Sequence, residues 1–440
     1  MRFLQFAAVL LPALVFTACG DGPAARSANQ ITSSTSASTT TTLNALRANN
    51  TSAASGFPTQ SNGNLGANNV SKQDIHSLLY SGSKTKVLAH LMLWFGKPNH
   101  MNVGYSSDDP AQVHRQITDM ISRGIDGVII DWYGPDNFVD RATQVVVREA
   151  EKHPGFTFTI MVDRAAIGDY PCSGCSAQEK LIELLKYVEQ TYFPSSAYLT
   201  INGQPVVTNF DIDNDYSIDW ASVSGHLATP PRFMFQNQGG FTHSMSDGSY
   251  SWVMPNATNY GLDYLSSFYD AGFSVANKET IGAAYKGFND APAGWGSGRF
   301  MNQQCGETWL QTFEKVNGLY GSGKQLPYMQ LVTWNDYEEG TEIESGIDSC
   351  FSLEASVSGN NLEWSTSGSE KTIDHYNVYS SKDGQNLTKI AEAEPGHHSL
   401  DLCSVGMQSG KAKLFVQAVG KPSMANRMPD PVSWSGACGN

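Results

Sequence analysis

Charge is scarce in this chain, and basic charge scarcest. Asp, Glu, Lys and Arg make up 16% of its 440 residues, with 28 Lys and Arg against 42 Asp and Glu. A formal net charge of −14 excludes the basic footprint that nucleic acid requires and leaves neutral partners open. Long apolar runs are also missing. The run Phe3 to Phe16 behind Arg2 is too short to span a bilayer and has the form of a secretory signal over 1–18, and no other segment is apolar enough to cross a membrane. No phosphate-cradling loop, nucleophilic serine motif or histidine-based metal motif stands out, so no cofactor and no metal are expected. Asp211-Ile-Asp-Asn-Asp215 starts like a calcium loop but lacks the glycine at its sixth position and the acid at its twelfth.

Cysteine is sparse as well. Of seven, Cys19 closes Val15-Phe16-Thr17-Ala18-Cys19-Gly20, which resembles a bacterial lipobox with Phe16 where Leu is usual. Cleavage before Cys19 predicts a lipidated protein anchored to a membrane on the periplasmic or cell-surface side; plain secretion is the alternative. The other six are Cys172, Cys175, Cys305, Cys350, Cys403 and Cys438, an even number that favours disulfides in an exported chain. Pairing Cys172 with Cys175, Cys305 with Cys350 and Cys403 with Cys438 keeps each bridge within one domain.

What the chain has in quantity is Ser, Thr, Asn, Ala and Gly between Ala24 and about Val70, too polar to order itself, so 19–83 is expected to be a flexible tether. From Lys84 to Cys350 apolar runs alternate with helical spacing. Strands are expected at Lys86–Phe95, Gly127–Trp132, Phe156–Asp163, Gln204–Phe210, Arg232–Gln236, Tyr250–Met254, Thr280–Lys286 and Tyr328–Thr333. Eight buried strands over about 265 residues, with helices between them, predict an α/β fold, a (β/α)8 TIM-like barrel at 84–350. After Cys350 seven short alternating strands predict a C-terminal fibronectin-III or immunoglobulin-like β-sandwich at 351–440, a module that binds glycan or packs on the barrel.

Barrel enzymes carry their chemistry at the C-terminal ends of the strands. At or just past those ends stand His90, Trp94, Asp131, Trp132, Tyr133, Asp163, Arg164, Asn209, Gln236, Trp252, Tyr285, Lys286 and Asp336. The last strand runs into Trp334-Asn-Asp-Tyr-Glu-Glu-Gly-Thr-Glu-Ile-Glu344, five carboxylates beside a Trp and a Tyr. Folding does not require such crowding of like charge, whereas sugar cleavage needs paired acids and flat aromatic faces. Asp336 and Glu339, three apart, can reach one glycosidic bond; Glu338, Glu342 and Glu344 stay open as alternatives on spacing alone. Trp334 and Asn335 join Trp94, Trp132, Tyr133 and Trp252 as candidate sugar contacts.

Trp334-Asn-Asp-Tyr-Glu-Glu339 resembles the Trp-Asn-Asp-Tyr-Gly-Glu segment of glycoside hydrolase family 71, the α-1,3-glucanases. Its continuation, Glu339-Gly-Thr-Glu-Ile-Glu344, is similar to Asn-Glu-Trp-His-Glu-Gly-Thr-Gln-Ile-Glu of family 99, the endo-α-mannosidases. Ala89-His-Leu-Met-Leu-Trp94 and Gly124-Ile-Asp-Gly-Val-Ile-Ile-Asp-Trp-Tyr133 resemble the opening strands of both. The resemblance, over roughly residues 86 to 345, implies a barrel whose catalytic carboxylates map onto Asp336 and Glu339. It implies inversion if the chain follows family 71, and retention through a sugar epoxide if it follows family 99. Glu338 departs from both patterns; Asp336 follows the first. The expectation is therefore a monomeric glycoside hydrolase cutting internal α-linkages of a polysaccharide or oligosaccharide, foremost α-1,3-glucan. An endo-α-mannosidase-like enzyme and a non-catalytic glycan-binding lipoprotein are the alternatives.

Overall fold

A computed structural model describes residues 69–438. The signal segment and Cys19 lie outside them, as does most of the expected tether. Eight strands run parallel: β1 (Lys86–Leu91), β2 (Gly127–Trp132), β3 (Thr157–Asp163), β4 (Gln204–Phe210), β5 (Arg232–Gln236), β6 (Gly248–Tyr250), β7 (Glu279–Ala284) and β8 (Tyr328–Leu331). Each pairs with the next, β8 pairs with β1 at Lys86↔Tyr328, and the ring closes into a barrel. Helices stand in most of the connections: α1 (Pro110–Ser122), α2 (Phe138–Ala150), α3 (Arg164–Asp169), α4 (Ala177–Thr191), α5 (Ile212–Asp215), α6 (Trp220–Gly225), α7 (Leu262–Ser274) and α8 (Glu307–Asn317). The β5–β6 connection holds only a 3-10 turn, Gln238–Thr242, and β7 is followed by a small ribbon, Phe288–Asn289 with Phe300–Met301.

Period-two alternation decides which way each strand residue faces. Leu88, Ile129, Met161, Val206, Met234, Tyr250 and Ile281 fill the barrel interior, while Val87, Ala89, Val128, Ile130, Ile160 and Val162 pack outward in the larger core under the helices. The expected sixth strand, Tyr250–Met254, is corrected to Gly248–Tyr250, because small Gly248 and Ser249 pair ahead of Tyr250 and the residues from Ser251 on leave the ladder. β1 stops at Leu91 rather than Phe95, since Met92 bonds Asn335 instead of a strand.

The tether is also shorter than expected. Val70, Ile75 and Leu79 are buried, and Asp74 caps a 3-10 turn at Ile75–Leu78. These apolar side chains order a segment that its polar surroundings had concealed.

All seven expected C-terminal strands are present: β9 (Ser352–Ser358), β10 (Asn361–Ser367), β11 (Ile373–Ser381), β12 (Thr388–Ala393), β13 (Ser399–Asp401), β14 (Gly410–Gly420) and β15 (Val432–Gly436). They form two antiparallel sheets, β9-β10-β13 and β12-β11-β14-β15, around Leu362, Trp364, Tyr376, Val416 and Trp434. The turn after β14 seats on the barrel: Met424 is buried in the barrel core, Ile347 exchanges backbone bonds with Ser423 and Ala425, and the Trp309 indole donates to the Pro422 carbonyl. The bridges are Cys172–Cys175, Cys305–Cys350 and Cys403–Cys438. They fit an exported protein. No described helix is long and apolar enough to cross a membrane.

Candidate active site

A cleft of about 970 Å³ opens at the C-terminal ends of the barrel strands. Among the described residues, none of its walls comes from the sandwich. Parity brings His90 (β1), Asp131 (β2), Asp163 (β3), Gln236 (β5) and, past β6, Trp252 to the lining; Trp94, Tyr133, Arg164, Asp336 and Glu339 reach it from the loops beyond.

The loop after β8 is held from both sides. Asn335, wholly buried, pairs with the backbone N–H and carbonyl of Met92, each at 2.9 Å. The Arg123 guanidinium, equally buried, donates to the carbonyls of Ile343 and Glu344 and lies 4.8 Å over the Trp334 ring. Within that frame Thr333 Oγ1 accepts the Asp336 N–H at 2.8 Å, and Asp336 Oδ1 accepts the N–H of Glu338 at 3.0 Å and of Glu339 at 2.9 Å. Gly340, at φ +61°, supplies the left-handed residue that turns the chain back.

Five carboxylates thereby separate into two kinds. Glu344 accepts from the hydroxyls of Tyr105 and Tyr337 and from the Gln116 amide. Glu342 pairs with Lys286 at 2.8 Å, both fully buried. Glu338 meets His100 Nδ1 at 3.0 Å and the Met101 N–H at 2.7 Å. Only Asp336 and Glu339 of the five line the cleft.

The electrostatics there are unusual for carboxylates. Burial pushes Asp336 up to about 7, against the N–H groups it accepts and with the push of the Glu338 charge. Glu339 is held well above the ordinary range by burial first and the Asp336 charge second, while Arg299, 3.9 Å away, pulls it down. Asp131 is raised by burial and the neighbouring Asp163, and Asp163 is raised by burial to about 6. Like charges crowded together in a buried cluster share protons rather than all ionising. Burial lowers His90 to about 3, so its ring is neutral, edge-on to Trp252 at 4.6 Å. His90 Nδ1, Trp94 Nε1 and Asp131 Oδ1 are buried without a hydrogen-bond partner, and all three belong to cleft-lining residues. A ligand rich in hydroxyls satisfies such atoms.

Several expected contacts lie elsewhere. Trp132 points outward, donating to Asp140 and stacking on Tyr187 at 5.8 Å. Asn209 has the outward parity of Val207 and does not line the cleft; its amide donates to the Met234 carbonyl, and it lines a smaller adjoining pocket. Tyr285 is buried and donates to the Tyr260 carbonyl. Trp334 and Asn335 are loop framework, as above. The sequence reading missed Lys97, His100, Trp295 and Arg299, which line the cleft from long connections without periodicity.

The model of glycosyl hydrolase family 71 matches residues 83–349. Solved structures similar to the chain include the GH99 endo-alpha-mannosidase from Bacteroides thetaiotaomicron in complex with BIS-TRIS-Propane, 18% identical over 60% of this chain and 87% of that one at a TM-score of 0.47. A second structure of a GH99 endo-alpha-mannosidase from that organism is 16% identical, over 60% and 88%, at 0.47. A glycoside hydrolase-like protein is 14% identical, over 60% and 87%, at 0.44. No curated protein matches the chain.

Proposed function

The chain belongs to glycosyl hydrolase family 71, and from that premise we infer that this glycoside hydrolase cuts internal α-1,3-glucosidic bonds, with Asp336 and Glu339 as its two working acids. The observation that carries the assignment is the division of labour in the loop after β8: Glu338, Glu342 and Glu344 are each bound to the framework, while Asp336 and Glu339 line the cleft. Asp336 accepts two backbone N–H groups, which favour its ionised form, so it is the base that activates water. Glu339 receives no such donors, is held well above the ordinary carboxylate range by burial and the Asp336 charge, and is the acid that protonates the leaving oxygen. Water attack with departure of the protonated oxygen in one displacement gives inversion. Neutral His90, the Trp94 indole and Asp131 bind sugar hydroxyls. Seven acidic residues line the cleft against Lys97, Arg164 and Arg299, which favours a neutral glycan over a uronic-acid polymer. The lipid anchor at Cys19, the polar tether and a monomeric state complete this reading.

Sugar release from a panel of α-glucans and α-mannans tests it, comparing wild type with Asp336→Asn and Glu339→Gln. Release from α-1,3-glucan, lost by about a hundredfold or more in both variants, is expected. Release from α-mannan alone would move the substrate to the endo-α-mannosidase class. Binding without release in all three proteins would leave a glycan receptor.

A further inference from the structure

Glu338 sits in sequence between the two working acids, yet its own carboxylate is engaged away from them. Oε2 meets His100 Nδ1 at 3.0 Å and Oε1 accepts the Met101 N–H at 2.7 Å, and the Trp295 side chain is near enough to join them in holding the carboxyl below its ordinary range against the opposing effect of burial. His100 and Met101 belong to the loop after β1; Trp295 belongs to the connection after β7. Because β8 lies between β7 and β1 in the barrel, one buried carboxylate ties together the loops on both sides of the catalytic loop. The tie has two aromatic consequences. The His100 ring lies flat on Trp94, with centroids 4.9 Å apart and planes within 8°. The Trp295 indole, beside that carboxylate, stays 53% exposed in the cleft wall.

We propose that Glu338 is a positioning residue and that the wall it assembles, the Trp295 face beside the His100–Trp94 stack, is a subsite for one pyranose ring of the glycan chain. This rests on the hydrolase reading above and adds to it a place where a sugar away from the cleaved bond is held. An indole presents a rigid apolar face to the C–H face of a sugar. Leaving a large aromatic half in water has no packing benefit, whereas stacking a sugar on it removes that surface from solvent. The subsite lengthens the enzyme's grip along the chain, so it acts on substrate binding more than on bond cleavage.

The experiment is steady-state hydrolysis of short and long α-1,3-linked glucan oligosaccharides by wild type, Trp295→Ala, Glu338→Ala, Glu338→Gln and the Trp295→Ala/Glu338→Ala double variant. Binding of the same oligosaccharides to each is followed by tryptophan fluorescence. Trp295→Ala is expected to raise KM for long chains about tenfold, with kcat changing less and short chains little affected. Glu338→Ala should do the same, Glu338→Gln should recover most of the loss, and the double variant should be no worse than Trp295→Ala, because both remove one wall. Unchanged KM in Trp295→Ala, or losses that multiply in the double variant, would overturn the proposal. Trp295 is exposed, so its variant tests the subsite even where Glu338→Ala fails to fold. Oligosaccharide binding that depends on Trp295, with no hydrolysis by wild type, would sink the hydrolytic reading and keep the subsite; normal hydrolysis with an unaffected Trp295→Ala would do the reverse.

Discussion

Replacing Arg299 with alanine gives the most direct test of which acid carries the proton. Its guanidinium stands 3.9 Å from a Glu339 carboxylate oxygen and is also paired with Asp290 at 2.7 Å. At that distance two unit charges attract by about 1 kcal/mol in a water-like medium and about 4 kcal/mol at an effective dielectric of ~20. The side chain is 51% exposed, which places the interaction at the lower end. Since 1.36 kcal/mol corresponds to one pKa unit, loss of the cation alone lets Glu339 keep its proton to a pH roughly 0.7 unit higher. Asp290, left without its partner, pushes the same way. A rate that needs protonated Glu339 falls on the alkaline side as that proton leaves. In Arg299→Ala the alkaline limb of kcat/KM therefore moves up by about one pH unit, while the acid limb, set by Asp336, stays within a few tenths. Salt should shrink the difference between the two proteins, since the pair is half in solvent. The assay is a pH profile of kcat/KM on α-1,3-glucan oligosaccharides. An alkaline limb that stays put, or moves down, would refute Glu339 as the proton donor.

Two further outcomes concern stability. Asp336 is buried and its proton is held to about pH 7, above its ordinary value of 3.8, so the folded state binds more protons than the unfolded one between those limits. Stability from this group is thus fully present below about pH 4 and is lost as pH rises through 7. Asp336→Asn, whose amide oxygen still accepts both N–H groups, should be more stable than wild type by roughly 2–4 kcal/mol at pH 8 and equal to it at pH 4, as read by urea denaturation; a gain at pH 4 as large as that at pH 8 would contradict the assignment. Lys286→Met leaves Glu342 buried without its cation and should lose about 3–5 kcal/mol at pH 7, with Lys286→Met/Glu342→Gln recovering most of it; a loss below about 1 kcal/mol in the single variant would show that the pair is not the fastener of this loop.

Much of this architecture is written locally. Each barrel strand announces itself because a parallel strand covered on both faces must be apolar almost throughout, and the runs at Gly127–Trp132 and Gln204–Phe210 coincide with observed strands to the residue. The sixth strand was misplaced because Gly248 and Ser249 carry no apolar signal of their own. The acidic loop was legible for the opposite reason: its composition works against folding. Alternation along the strands held more information than its use extracted, for the parity that sends Asp131 into the cleft also sends Trp132 and Asn209 away from it.

Composition and periodicity by themselves determined the eight-stranded alternation, the seven-stranded tail and the loop that carries the acids, and an even cysteine count pointed to disulfides whose pairing the fold then fixed. The strands and the loop depend on near neighbours in the chain, and short-range sterics and apolar spacing record them. Only the tertiary structure decided which of five carboxylates meet the cleft. Glu338, Glu342 and Glu344 are claimed by His100, Lys286 and Tyr105, each 50 or more positions away, and Asn335 by Met92. Trp295 and Arg299 likewise reach the cleft only because closing the barrel sets β7 and β1 on either side of β8. A carboxylate becomes catalytic or structural according to the burial and partners it meets, and those are fixed by contacts made across the barrel.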